Sequence, residues 1–239
     1  MGEYGTPDID IEEGWLDIKH KGREDRFLFP RQAGSLYHTT KIMDTDLMWL
    51  GVRMWDLKVT DLMQGPVYGI ETDESSFDKR LNTIFNYDEV FGTIVNRFIV
   101  QAVVGYPLTV YGSGGQTRGY LNIKDTLQCV HQAEMIQPKK GELRIFNQIM
   151  ETFSVNDLAN LTKKIGNQRG VNVEIKSVQN PRKESENHYY NPKYQGLKDL
   201  GISPNLLTDE VMGRLFSIVE KYKKNILLYL YFNLFLVYF

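Results

Sequence analysis

The chain has 239 residues, enough for one ordinary domain or two small ones whose core needs no disulfide. Hydrophobic residues at 42% and charged residues at 24% match soluble globular proteins, which excludes a disordered, collagen-like or low-complexity chain. Lys plus Arg at 28 against Asp plus Glu at 30 leaves a net charge of −2, so no global field draws nucleic acid and any anion site rests on a few placed residues.

In chain order, residues 1–34 read as loop, with acids clustered at Asp8–Glu13 and a brief strand-like alternation over Leu16–His20. The opening lacks the basic and apolar regions of a secretory signal. From Ser35 to Trp49 the pattern predicts a helix, with Leu36, Thr40, Met43, Leu47 and Leu50 forming an apolar face. Lys58–Met63 reads as a buried strand ending at Gln64-Gly65-Pro66, and 72–88 as a polar loop. A second helix is predicted over Val90–Val104, with Val90, Ile94, Phe98 and Val104 on one side. After Gly105-Tyr106-Pro107 comes a hairpin-like stretch: Leu108–Tyr111, a turn at Gly112–Gly115, then Arg118–Ile123.

Further on, Asp125–Gln137 is helical and Leu143–Asn147 a strand. Ser154-Val155-Asn156-Asp157 carries the signal of a helix cap for Asp157–Gly166. Val171–Val178 is a strand, 180–194 is polar, and short and longer helices follow near Leu197–Leu200 and over Asp209–Lys224. Alternating strands and helices define an α/β protein without internal repeats. The run Ile226–Phe239, fourteen residues with Asn233 as its one strongly polar member, is too short to span a membrane alone.

Three constellations carry chemistry. Tyr37 and Lys41 stand one helical turn apart on one face. An ammonium beside a phenol draws the phenol's pKa down from about 10 and makes a tyrosinate available as general base. On spacing alone the pair is equally a solvated helix face. The second constellation is Gly112-Ser113-Gly114-Gly115-Gln116-Thr117-Arg118-Gly119-Tyr120, where an arginine fork suits a phosphate and glycines let backbone approach. Its bland alternative is a glycine-rich turn, and as a dinucleotide fingerprint it fails for want of the strand–helix setting. The third is Asn180–Asn191, with Arg182 and His188 among acids, which is also readable as an exposed loop. The single cysteine, Cys129, excludes an internal disulfide framework and suits a reducing cytoplasm. The four histidines, His20, His38, His131 and His188, show no metal-ligand spacing.

Order and distance of these constellations resemble the NAD-dependent nucleotide-sugar epimerases and dehydratases of the extended short-chain dehydrogenase/reductase superfamily. Further matching stretches are Met1–Gly14, Tyr37-His38-x-x-Lys41, Gln64-Gly65-x-Val67-Tyr68-Gly69, Phe91-Gly92-Thr93, Phe146-Asn147-Gln148 and His188-Tyr189-Tyr190-Asn191. They narrow the resemblance to the branch that converts UDP-glucose and sulfite to a sulfonated sugar nucleotide through 4-keto intermediates. The resemblance implies Tyr37, Lys41 and His38 as catalytic residues and Tyr37 and Lys41 as contacts to NAD. Gln64, Gln116, Arg118 and Arg182 become the UDP-sugar contacts, the two arginines gripping the diphosphate.

The implied fold is the C-terminal part of a Rossmann-type extended dehydrogenase plus its smaller sugar-nucleotide-binding domain, with the first βαβαβ half absent. Residues 1–104 are expected to be the remnant of the NAD-binding domain. Residues 105–224 are expected to be mainly the sugar-nucleotide part, with segments returning to the first lobe, and 225–239 an atypical apolar tail. The opening at Met1 and the tail after Asn225 lead to the expectation of a truncated reading frame, with activity of this chain alone in doubt. A non-catalytic UDP-sugar-binding remnant and another epimerase or dehydratase are the competing readings. Further expectations are no metal, no nucleic acid, no stable membrane span, a cytoplasmic location and a homodimer through 35–50 and 90–104.

Overall fold

Strands and helices alternate as the sequence pattern requires: β1 (Trp15–His20), β2 (Arg23–Leu28), α1 (Leu36–Trp55), β3 (Lys58–Gln64), β4 (Val67–Tyr68), α2 (Asp73–Phe77) and α3 (Ile94–Val104). The order continues with β5 (Leu108–Tyr111), β6 (Thr117–Asn122), α4 (Ile123–Met135), β7 (Glu142–Gln148), β8 (Glu151–Ser154), α5 (Val155–Gln168), β9 (Ile175–Val178), α6 (Gln195–Asp199) and α7 (Asp209–Lys221). The structure, a computed structural model, describes residues 13–28, 33, 35–88, 92–180 and 190–228. Arg182, His188, Phe91, the opening motif through Glu12 and the apolar run from 229 onward therefore lie outside the described residues.

The chain divides into two compact units. The first comprises Met1–Val67, Thr117–Thr152 and Asn187–Asn205, the second Tyr68–Gln116, Phe153–Glu186 and Leu206–Phe239. By this division 68–104 lies with the second unit, and 117–152 and 187–205 lie with the first.

In the first unit β3 and β7 pair in parallel, from Lys58 opposite Glu142 to Gln64 opposite Gln148. Helix α1 packs on both strands. Ser35 starts the helix by accepting from His38 N, and Asp56 ends it in the left-handed region, where Asp is one of the few tolerated residues. The core beneath it is Val52, Met63, Leu143, Ile145 and Ile149, with Trp49 and Tyr190 packed against it. A second cluster joins Leu121 and Cys129 to Met150, Leu197 and Ile202. The expected apolar face of α1 does not enter this core: Leu36, Met43, Leu47 and Leu50 are exposed, and the buried positions are Thr45, Gly51 and Val52. Strand β1 pairs antiparallel with β2 in a charged hairpin, and the sequence pattern hides β2 inside a presumed loop.

In the second unit α3 packs against α5 and α7. Val95, Phe98, Ile99 and Val103 are buried there, so this helix is spent on its own core and is not an exposed dimer face. Ser154 and Asp157 cap α5 reciprocally, as their spacing predicts. The expected hairpin between 108–111 and 118–123 does not form. Strand β5 pairs in parallel with β9, Gly112 N donating to Val178 O at 2.9 Å, while β6 belongs to the first unit. The parallel pairing with β9 is set far along the chain and leaves no turn signature to read. Residues 223–228 at the start of the apolar run are helical, and Ile226 is buried.

Candidate active site

The first two turns of α1 gather Tyr37, His38 and Lys41. The Ser35 hydroxyl accepts from His38 N at 3.2 Å and lies 3.1 Å from His38 Nδ1, so one cap oxygen both starts the helix and steadies the imidazole. The rings of Tyr37 and His38 meet edge-to-face at 5.4 Å. Lys41 Nζ lies 5.8 Å from the Tyr37 ring centroid and 3.2 Å from Asp44 Oδ2. Tyr37 is 66% exposed, so its phenol is open to a ligand.

Gln64 and Arg118 stand at the same end of this unit. Helix α1 and strand β3 run in opposite directions through a short turn, and Thr45 Oγ1 donates to Asp61 Oδ2 at 2.7 Å to fix their alignment. Thr45 is two turns past Tyr37, about 12 Å along the helix. Asp61 is three residues short of Gln64, about 10 Å along the strand. The two distances nearly cancel, which brings Gln64 to the level of the Tyr37 turn, at the carboxyl end of the parallel strands where α/β folds bind ligands.

Arg118 is brought to Gln64 by a close backbone approach. A methyl group on Gly65 would lie 2.5 Å from Gly119 O and 2.7 Å from Ile149 Cγ2, so only glycine lets the β3 end and β6 touch. Gln64 and Arg118 immediately precede these two glycines. Tyr190 Oη accepts from Gly119 N at 2.9 Å, which pins the chain that follows 181–189 beside Arg118. Asn147 Nδ2 donates to Lys193 O at 2.6 Å and adds a second pin. Gly65→Val is expected to lower stability by about 2–3 kcal/mol through this overlap, read as a reduced denaturant midpoint.

Gln116 belongs to the second unit and is turned inward. It is 4% exposed, its Nε2 donates to Tyr111 O at 3.3 Å, and its Oε1 is buried with no partner among the described residues. Asn156 completes that turn by donating through N to Gly114 O at 3.1 Å and through Nδ2 to Ser113 O at 3.0 Å. Sequence reasoning names Gln116 a ligand contact; the structure uses its amide to hold the turn. Arg182 lies outside the described residues. Ser35, Asp44 and Tyr190 are site residues to which the sequence reading assigns no role. Of these, only Ser35 leaves a local signal, its cap spacing to His38.

Among the described residues no group of His, Cys, Asp and Glu is arranged to hold a metal ion, and no helix is long and apolar enough to cross a membrane. No protein-family model matches the sequence.

The α/β fold is similar to that of proteins solved with NAD bound. It matches MoeE5 in complex with UDP-glucuronic acid and NAD at TM-score 0.64 and 17% identity, over 90% of this chain and 61% of that one. It also matches the dTDP-glucose 4,6-dehydratase DesIV of Streptomyces venezuelae at TM-score 0.63 and 16% identity, over 94% and 58% of the two chains.

In sequence the chain is similar to UDP-sulfoquinovose synthase. It is 51% identical over 226 residues to the chloroplastic protein of Spinacia oleracea, covering 95% of this chain and 47% of that one. It is 48% identical over 205 residues to that of Sulfolobus acidocaldarius, covering 85% and 52%. The chain thus spans about half the length of the curated relatives it matches.

Proposed function

We propose that this chain binds a UDP-sugar and carries the base for its NAD-dependent oxidation at C4, in the conversion of UDP-glucose and sulfite to UDP-sulfoquinovose. One observation carries the reading: an exposed Tyr37 phenol with the Lys41 ammonium 5.8 Å from its ring, level with Gln64 and Arg118. The identity of about half to the two UDP-sulfoquinovose synthases supports it. Tyr37 takes the proton of the sugar 4-hydroxyl, with the Lys41 ammonium beside its ring. The first turn of α1 adds backbone N–H groups that favour negative charge there. His38, held by Ser35, stands beside the base, toward the reacting sugar. Arg118 grips the diphosphate with charge-assisted hydrogen bonds, and Arg182 is its proposed second clamp.

The residues present fit the nicotinamide end of NAD, where an exposed phenol and a neighbouring ammonium can meet a ribose and a reacting sugar. They do not fit its pyrophosphate, since no glycine-rich strand–turn–helix fingerprint occurs in the sequence. Bound there, NAD would supply the hydride acceptor and donor for the C4 carbon. A homodimer through the exposed Leu36, Met43, Leu47 and Leu50 stripe of α1, whose spacing is that of a helix–helix seam, belongs to the same proposal. So does a reducing compartment, the cytoplasm, for the buried free thiol of Cys129.

Mass spectrometry of the products from UDP-glucose, NAD and sulfite tests the reading. A sulfite-dependent sulfonated sugar nucleotide would support it, and Tyr37→Phe is expected to lower that product about 10²–10⁴-fold with UDP-glucose affinity retained. An epimerised or dehydrated UDP-sugar formed without sulfite would instead support another epimerase or dehydratase, whose folds this chain shares. Binding of UDP-glucose with no product at all would mark a non-catalytic UDP-sugar module.

A further inference from the structure

Glu13 ends the acid cluster near the start of the chain and has no part in the chemistry proposed for Tyr37 and Lys41. Two residues before β1, its carboxylate serves two elements far along the sequence. Oε1 accepts from Asn147 N on β7 at 3.4 Å, and Oε2 accepts from Gly196 N in α6 at 3.1 Å. Among the described residues β7 pairs with β3 and no other strand, so Glu13 takes up an N–H on the open edge of that ladder. Tyr194 gives α6 no side-chain cap, and Glu13 supplies an acceptor where the cap would stand. Two glycines make room for it. A methyl group on Gly196 would lie 2.5 Å from Phe146 Cδ1 and 3.0 Å from Glu13 Oε1, and one on Gly14 would lie 2.3 Å from Ile145 Cδ1. The stretch ahead of α6 is tied down in turn. Asn147, held through its backbone by Glu13, donates through its side chain to Lys193 O. Three residues earlier, Tyr190 Oη accepts from Gly119 N, next to Arg118. All of these residues belong to the first unit.

We infer that Glu13 is a positioning residue, whose carboxylate fixes 193–196 on the edge of β7 and so holds Tyr190 against Gly119, beside the diphosphate grip of Arg118. The inference rests on the UDP-sugar reading for its ligand and on the Glu13 hydrogen bonds for its geometry. Helix α6 has five residues and buries one of them, Leu197, so packing alone gives this stretch little order. The carboxylate supplies that order before ligand arrives. The benefit falls on the diphosphate, which UDP and UDP-glucose share.

The test titrates the full chain with UDP and, separately, with UDP-glucose, and follows glycine amides in ¹H–¹⁵N spectra. In Glu13→Ala both affinities are expected to fall together, by about three- to tenfold, the worth of one ordered hydrogen bond. The Gly196 amide signal is expected to move because its acceptor is gone. The Gly119 signal is expected to move as well, although its own acceptor, the Tyr190 hydroxyl, is unaltered. Glu13→Gln, which keeps one acceptor oxygen and the size of the side chain, is expected to fall between parent and Glu13→Ala, and it carries the same readings should Glu13→Ala not fold. Tyr190→Phe removes the acceptor of Gly119 directly and is expected to show the same affinity loss, with the double variant losing no more than Tyr190→Phe alone. A moved Gly196 signal with Gly119 unmoved would confine Glu13 to capping α6 and overturn the inference. Additive losses, or a parent-like affinity for UDP in Glu13→Ala, would overturn it too. If the parent chain binds neither nucleotide, the UDP-sugar reading fails by itself and takes the diphosphate role with it. The Gly119 signal then still decides, separately, whether Glu13 positions Tyr190.

Discussion

Arg118→Ala is expected to weaken UDP and UDP-glucose binding alike, by about ten- to hundredfold. A charge-assisted hydrogen bond to phosphate is worth about 1.5–3 kcal/mol, and a planar guanidinium spans two phosphate oxygens as no other side chain does. Equal loss for both ligands is the diagnostic part, because the arginine is assigned to the diphosphate and not to the sugar. Arg118→Lys should recover part of the affinity but not the bidentate geometry. Competition titrations with UDP read the effect, and the loss should shrink in high salt as screening weakens the parent. A variant that binds UDP as tightly as the parent would remove Arg118 from the diphosphate site.

Asp125→Ala is expected to cost about 2–4 kcal/mol of stability without touching the ligand directly. Asp125 is fully buried in the first turn of α4. Both its oxygens accept from Asn205 N at 3.0 Å, and Oδ1 accepts from Asn205 Nδ2 at 2.6 Å and from Gln128 Nε2 at 3.3 Å. Removing the carboxyl strands those donors and releases Asn205 from α4. Burial raises the carboxyl above its ordinary value, and the Asn205 side-chain and backbone hydrogen bonds act against that rise. Between the ordinary and the raised value the native state binds more protons than the unfolded chain. Stability from this group is therefore greatest below that window and declines as pH rises through it. Denaturant titrations from acid toward neutral pH should show the decline in the parent and its absence in Asp125→Asn.

How much of this was legible in the sequence depends on range. Helix α1 was readable because its pattern is local: Ser35, Tyr37, His38 and Lys41 lie within two turns. The β3 terminus was readable from a buried strand meeting Gln64-Gly65-Pro66. Strand β2 was not, because Arg23, Glu24, Asp25 and Arg26 are all exposed and leave no apolar alternation to read. The partner of β5 was not either, since a parallel pairing with β9 is set by burial far along the chain and leaves no turn signature. The same holds at the site. Gln64 meets Gln148 across 84 residues and Gly119 meets Tyr190 across 71, and no spacing rule connects such pairs. The apolar stripe of α1 was visible as a pattern, yet a pattern does not say whether its face is filled from within the same chain.

Calorimetric titration of the full chain with UDP-glucose, repeated in the presence of UDP, tests the central claim most directly. Saturable binding that UDP displaces and that Arg118→Ala weakens is the expected result. A folded chain that takes up no UDP-glucose, or binds it undisturbed by UDP, would contradict the account.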